Sequence, residues 1–448
     1  MKTKITFPKS IKSPESPADN GPQKRHRSSL LITLVSLLVL HIFTSSLTAQ
    51  TTTSTIEGTV KDANGALVAG AKLKLTSTTL GTERDVVTDE TGSYRFVSLP
   101  AGTYTVTVSQ NGFSTVTSQI ELTLNRTARF DVELKVGEVG GNVVNVNSDV
   151  PLLATDTPAT GMTVTPRQIT DPPVNGRNYL DLMQLVPGVA VNRQADPDGD
   201  NANPTLGERS GNNNFFIDGH PNKDTVDGGP AAQFNQETIA EFQVLTTGYK
   251  AEFGQASGAI VNVITKSGGN GFHGVASLFH RNEFFDSSNS LDPTVTDAPH
   301  LRRFDYSLAG GGPIIKDKVF FFGSAERIRE DRHIDFKYPS TQNVIVDNLI
   351  RNLESSFDTP TQARDTRAFL KLNEQLGRHS LSQEVNYTNG FQRNFASLSA
   401  GNSLPSTRTD RGARNLLLAF GDTMLLGDKG NPWIVTLRGG YRGEPSYV

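Results

Sequence analysis

Glu237–Gly274 reads ETIAEFQVLTTGYKAEFGQASGAIVNVITKSGGNGFHG, and the rest of the chain falls into place around it. Asn235 is placed to cap a short helical turn over Glu237–Ala240, with the acid Glu237 near its positive end. Phe242 and Val244 then alternate with Glu241 and Gln243, the pattern of a half-buried strand. Gly248, Gly254 and Gly258 punctuate a loop that carries Glu252-Phe253-Gly254. Ala259–Thr265, AIVNVIT, is β-branched, interrupted only by Asn262 and closed by Lys266-Ser267-Gly268-Gly269, which predicts a strand buried on both faces. On residue pattern alone this is a buried strand pair in an α/β or α+β domain.

The order of these pieces resembles the end of the plug domain of TonB-dependent outer-membrane receptors. Glu241–Leu245 stands where that family has an "IEVL"-like unit, and Phe253-Gly254 where it has a "YG" or "FG" loop. Gly258–Lys266 stands where it has a "GGxINIITK"-like strand. Upstream, Asn175-Gly176-Arg177-Asn178 matches the "NGRN" of Oar-like plugs, and Asp218-Gly219 ends a short NNNFFIDG strand that resembles the plug's "IDG". The resemblance implies a plug followed at once by a membrane barrel. Arg177 within the "NGRN" match reads as a buried structural anchor or as a contact residue, with the structural reading favoured.

Length and composition are consistent with this. The 448 residues allow two to four domains, and 41 glycines suit a loop-rich β architecture. A net charge of −3 without a dense basic block gives no footprint for nucleic acid. The absence of cysteine excludes disulfides, thiolate metal sites and a cysteine nucleophile.

Residues 1–49 read as a signal peptide: a basic stretch ending in Lys24-Arg25-His26-Arg27, the apolar run Leu30–Phe43, and small Ala49 before a polar tract. A retained N-terminal anchor is the other reading. Across 54–136, seven short alternating segments, the last of them Ala128–Lys135, are separated by turns such as Asn64-Gly65 and Asn111-Gly112, which predicts a β-sandwich. This segment resembles the carboxypeptidase regulatory-like domain, a transthyretin-like, carbohydrate-binding-like module without catalytic residues.

Residues 137–150 read as a linker. Within it, Gly141, Asn142, Val143, Val144, Asn145, Val146, Asn147 and Ser148 are the candidate TonB box, the extended segment that in such receptors pairs with the periplasmic energy-coupling protein. The three asparagines depart from the family's pattern, so a plain linker stays open. The plug is placed at 151–270. In it, Tyr179, Leu182, Met183 and Val186 recur at helical spacing until Pro187-Gly188. The resemblance puts the ligand-facing loops at Asn201–Arg209 and His220–Gly229, with Asn201, Glu208, Arg209, His220, Asn222 and Asp224 as contact candidates.

From 271 to 448 the pattern is of long strands joined by alternating short and long links, as in an outer-membrane barrel. A soluble antiparallel sheet is the alternative. Val344–Phe357 has helical spacing inside one long link. About seven strands are countable, against about 22 in plug-bearing barrels, so an N-terminal portion of a longer chain is expected. His280-Arg281-Asn282-Glu283 spells a carboxypeptidase-like HxxE without a third ligand in context, and Asp196–Asn201 a calcium-like loop without its closing acid.

The fold expected is therefore mainly β: a sandwich, an α+β plug and the first strands of an incomplete antiparallel barrel. The function expected is uptake of a bulky or scarce solute in the cell outer membrane, with no enzyme chemistry and no cofactor. The partners expected are a TonB-type coupling protein, outer-membrane lipid and a solute that the sandwich tilts toward carbohydrate. A carbohydrate-binding surface adhesin and a secreted zinc peptidase are the competing readings.

Overall fold

The computed structural model describes residues 53–137, 144–146, 159–190, 203–286, 300–332, 343–355, 360–395 and 406–447, except 78–81, 125, 173, 175–176, 225–227, 251–252, 407–408, 428–431 and 444–445. The signal-peptide reading and the calcium-like loop fall outside these residues.

The first domain is a two-sheet sandwich. Its strands are β1 (Ser54–Asp62), β2 (Lys72–Ser77), β3 (Thr82–Val87), β4 (Ser93–Leu99), β5 (Gly102–Ser109), β6 (Val116–Leu122), β7 (Thr127–Arg129) and β8 (Val132–Leu134). One sheet runs β4-β1-β7 with β8 also on β1, and the other runs β3-β2-β5-β6 and ends on β9 (Val144–Val146). Alternate residues of each strand fill one core, among them Ile56, Leu73, Phe96, Tyr104, Val106 and Ile120. Such inward rows from two facing sheets are what period-2 patterning produces. The single strand expected over Ala128–Lys135 is broken in two. Phe130 and Asp131 step out of line where the Phe130 carbonyl crosses β1 so closely that a Cβ on Gly58 would lie 1.9 Å from its oxygen. The Asp131 carboxylate secures the step by accepting from the Thr59 amide at 2.8 Å.

The plug is built on a mixed sheet of order β10-β13-β14-β11-β12. Its members are β10 (Thr160–Val164), β11 (Asn214–Ile217), β12 (His220–Pro221), β13 (Ile239–Thr247) and β14 (Ile260–Thr265). β13 and β14 are antiparallel, with Phe242 opposite Val263, whereas β11 and β14 are parallel. Asn235 caps the turn before β13, its side chain accepting from the Glu237 amide at 2.9 Å, and the turn is a 3-10 helix over Gln236–Thr238. The Tyr179–Leu185 segment is likewise 3-10 rather than α, capped by Asn178. Its stripe still enters the plug core with Phe215, Phe242 and Val263. A short α-helix, Pro166–Thr170, precedes it behind the capping box of Thr165 and Gln168.

The third sheet is antiparallel throughout. It runs β15 (His273–Asn282), β16 (Leu301–Ile315), β17 (Val319–Arg332), β18 (Thr361–Leu376), β19 (His379–Phe395), β20 (Thr409–Leu426) and β21 (Trp433–Gly443), with β22 (Ser446–Tyr447) on β20. Among the described residues it is an open arc, not a closed barrel. The helix expected in the long link forms over Val344–Glu354, its first turn capped by Asn343. Register makes the two faces different in kind. Leu308, Ala325, Ala368, Tyr387 and Leu416 lie side by side on the outward face, and Leu370, Val385, Leu418 and Tyr441 in the next row but one. The inward row between them reads Ala309, Ser324, Phe369, Asn386, Leu417, and the inward rows on either side read Ser307, Glu326, Arg367, Thr388, Asn415 and Gly311, Phe322, Lys371, Glu384, Ala419. Apolar out and polar in is the signature of a membrane barrel wall and the inverse of a soluble sheet packed on its apolar face.

Candidate functional site

The plug lies against the inward face of this wall, and three cations of the seat are bound on both sides of the contact. Lys371 on β18 places its Nζ 3.0 Å from the Asp218 carboxylate of the plug and 3.3 Å from that of Glu384 on β19. It also donates to the Thr265 hydroxyl at 2.9 Å. Arg367, four residues up the same strand, pairs with Glu326 at 3.0 Å and Asp365 at 3.1 Å. The same two terminal nitrogens also reach the plug, at the Phe234 carbonyl and the Gln233 amide oxygen. Arg177 comes from the plug itself. It pairs with Glu237 at 2.8 Å, approaches Asp305 of β16 at 4.0 Å and lies 3.9 Å over the ring of Phe279 on β15.

Neutral contacts complete the seat. The Thr238 and Ser324 hydroxyls are 2.6 Å apart, Asn415 donates to the Ala231 carbonyl at 2.6 Å, and Arg442 to the Lys223 carbonyl at 2.7 Å. Phe322, Phe369 and Leu417 of the wall join the apolar core of the plug, with Phe369 edge-on to Phe234. The Lys266–Gly274 connection passes from plug to wall through a tight crossing, where a Cβ on Gly268 would lie 2.2 Å from the Phe321 carbonyl oxygen.

Charge states in the plug follow from burial and neighbours. Burial pushes the Asp218 carboxyl up, but Lys371 and Thr265 outweigh it and hold the group below the ordinary carboxylate range. Burial, with help from Arg438 and Lys371, drops His220 to about 4, so it is neutral at neutral pH. Burial also lowers Lys266.

β13 was expected to be half-buried, yet both faces are covered. Glu241 and Gln243 are 5 % and 4 % exposed. At Glu241 the cover is the sandwich, whose Leu124 amide donates to the Glu241 carboxylate at 2.6 Å, whereas Gln243 donates to the Thr163 hydroxyl of the plug at 3.5 Å. Burial nevertheless lifts Glu241 to about 7, with a smaller push from Glu121. Its folded value lies above the unfolded one, so stability at this joint falls as pH rises from about 4.5 to about 7 and is level above that. Glu241→Gln, which keeps an acceptor for Leu124, is expected to remove this slope and to stabilise the protein at pH 8 by about 1–3 kcal/mol. Thermal midpoints of both proteins from pH 4 to pH 8 would check it, and parallel curves would reject it.

The residues read from sequence as site candidates fall in different places. Asp218, at φ 46°, and Gly219, at φ 82°, form the turn that aims the Asp218 carboxylate at Lys371. Phe253, Gly258 and Asn262 are plug interior: Phe253 packs edge-on to Phe216, and a Cβ on Gly258 would meet the Asn213 side chain at 2.5 Å, while half-buried Asn178 caps the Tyr179–Leu185 turn. Gly254 has open space beside it, although its carbonyl accepts from Asn214. Asn175, Gly176, Glu252 and Asn201 lie outside the described residues.

Of the loop candidates, Arg209 is exposed, and Glu208 and Asp224 are partly so. His220 and Asn222 are buried, and Asn222 spends its side chain on both backbone groups of Ala232. Of the linker candidate, Val144, Asn145 and Val146 are described: they form β9, parallel to β6, with Val144 opposite Val116. The HxxE pair is drawn apart, His280 stacked on Phe304 and Glu283 bonded to His300. Lys371, Arg367, Glu326 and Glu384 were not singled out from sequence. The signal available was charge at inward positions of strands whose outward positions are apolar.

Three family models match the chain. They are the carboxypeptidase regulatory-like domain over 55–135, the TonB-dependent receptor plug domain over 154–261 and an outer membrane beta barrel domain over 264–430. The TonB-dependent transporter Oar of Myxococcus xanthus is 33% identical over 290 residues, covering 60% of this chain and 26% of Oar. The chain thus spans about a quarter of the length of that relative. Among solved structures, the outer membrane transporter YddB of Escherichia coli is 13% identical with a TM-score of 0.48, over 65% of this chain and 40% of its own. A ferric enterobactin receptor from Pseudomonas aeruginosa is 14% identical with a TM-score of 0.41, over 64% and 49%. The sandwich, the plug and the apolar-out wall are thus each matched by the model of the corresponding domain, together the domain set of a TonB-dependent outer-membrane receptor, and the chain is similar to Oar over the stretch they share.

Proposed function

We propose that this chain serves energy-coupled uptake of a bulky or scarce solute across the outer membrane, with its plug as the movable gate. The observation that carries the reading is the seat itself. The plug is held by buried ion pairs and hydroxyl contacts against a largely polar wall, beside an apolar contact at Phe322, Phe369 and Leu417. Buried pairs of this kind fix position but add little net stability, because desolvation offsets the Coulombic attraction. A seat of that kind is specific and still displaceable by a pull from the periplasm. Such a pull would come from a TonB-type protein pairing with Gly141–Ser148 by strand addition. The strand pairing of Val144–Val146 with β6 supports this, since it shows a backbone already extended enough to pair. Glu208, Arg209 and Asp224 are the accessible ligand-contact candidates. The sandwich favours a carbohydrate-derived solute.

Val144→Pro/Val146→Pro removes the backbone donors that strand pairing needs. The variant is expected to assemble in the outer membrane as the parent does but to lose capture by the periplasmic domain of the coupling protein. Undiminished capture would place the coupling segment elsewhere or refute coupling.

A further inference from the structure

The connector between plug and wall carries the run Ser267-Gly268-Gly269-Asn270-Gly271, and β16 answers it with Gly310-Gly311-Gly312. Consecutive glycines weaken a strand and mark a place where another backbone comes close. Here the connector does so. A Cβ on Gly311 would lie 3.3 Å from the Gly268 Cα, and one on Gly312 would lie 2.3 Å from the Phe272 ring. A Cβ on Gly268 would in turn meet the Gly312 carbonyl oxygen at 2.8 Å. The two backbones interlock where plug becomes wall.

Two residues on, a reciprocal pair fastens the connector. Asn270 donates from Nδ2 to the Asp317 carboxylate at 2.6 Å, and its Oδ1 accepts from the Asp317 amide at 2.9 Å. Asp317 lies in the turn between β16 and β17 and holds φ 62°, a conformation that costs energy in a residue with a side chain. The turn is itself tied to β18, because the Lys318 carbonyl accepts from the Gln375 amide at 2.7 Å. It is one of the short turns, which in outer-membrane barrels lie on the periplasmic side, where the pull is applied. None of these contacts belongs to the seat formed by Lys371, Arg367 and Arg177.

Chain length makes this fastening decisive. From Thr265, the last residue of β14, to His273 in the wall is eight residues, an extended reach of about 27 Å. From Thr265 to Gly268 is three, a reach of about 10 Å. With the connector held, the end of β14 stays within about 10 Å of Gly268 however the plug is pulled. We propose that Ser267–Gly271 is a fixed pivot, held by Asn270 and Asp317, on which the plug swings out of its seat and returns. The pivot rests on the uptake reading and adds to it that the plug stays tethered at the periplasmic rim through the whole cycle.

The test uses whole cells carrying Ser324→Cys, whose thiol lies beneath the plug, and reads its labelling by a membrane-impermeant maleimide with and without the coupling protein. Asn270→Cys/Asp317→Cys, added to this protein, is expected to form a disulfide, because the two side chains are in contact. The rise in labelling that depends on the coupling protein is expected to be the same in the bridged protein as after its reduction. Ala231→Cys/Asn415→Cys bridges plug to wall at β20, where Asn415 meets the Ala231 carbonyl at 2.6 Å. It is expected to lose the rise and to regain it on reduction. Loss of the rise in the connector-bridged protein would show that the connector moves with the plug, and failure of that pair to bridge would show that it is not held. Either result would overturn the proposal, as would a rise that survives the bridge at β20. A Ser324→Cys parent with no coupling-dependent rise would overturn the uptake reading itself, and the pivot with it.

Discussion

Lys371→Met is expected to unseat the plug. The lysine is buried between the Asp218 and Glu384 carboxylates, and its removal leaves two buried acids facing each other with no counter-charge. Breaking a buried pair by deleting one partner costs about 3–5 kcal/mol, far more than the pair contributes when intact. Part of that cost can be escaped by moving Asp218 into water, which in this fold means lifting the plug away from β18. The variant should therefore show a lower thermal midpoint and new protease cleavage within the plug, while the strands of the wall stay protected. Adding Glu384→Gln removes one of the stranded charges and should recover part of the loss. An unchanged midpoint and an unchanged cleavage pattern in Lys371→Met would show that the ion pair does not hold the plug.

The chemistry of the seat explains why such a contact is built from charge. An apolar plug on an apolar wall would gain roughly 25 cal/mol for each Å² it buried and would resist any pull. Here each cation answers to acids or carbonyls on two elements, so position is specified closely while net adhesion stays small. Arg367 shows the principle: its two wall partners, Glu326 and Asp365, remain when the plug leaves, and only the contacts to Gln233 and Phe234 are lost. Lys371 keeps Glu384 in the same way.

Much of this architecture was legible in the residues, because period-2 patterning and turn chemistry are local. The strand over Ala259–Thr265, the helix behind Asn343 and the sandwich strands all announce themselves within a few positions. The departures have a common cause in contacts that sequence order does not display. Glu241 reads as the wet side of a strand until the sandwich covers it. Ala128–Lys135 reads as one strand until its crossing over Gly58 breaks it. Tyr179–Leu185 has apolar spacing that fits α and 3-10 helix alike over two turns. The seat was the least legible part. Lys371 and Glu384 lie on different strands, and only the register that sets Phe322, Lys371 and Glu384 side by side makes them a site.

The central claim is that the plug leaves this wall when it is pulled, and Ser324 offers a direct view of it. Its hydroxyl faces the plug, 2.6 Å from that of Thr238, and is buried there. The chain has no cysteine, so Ser324→Cys would carry a single thiol beneath the plug. The measurement is the rate at which a membrane-impermeant maleimide, added to whole cells, labels that thiol. Labelling is predicted to be rapid in energised cells that contain the coupling protein and many-fold slower in cells that lack it. Equal rates in the two would mean that the plug is not moved by coupling, and the account would be wrong.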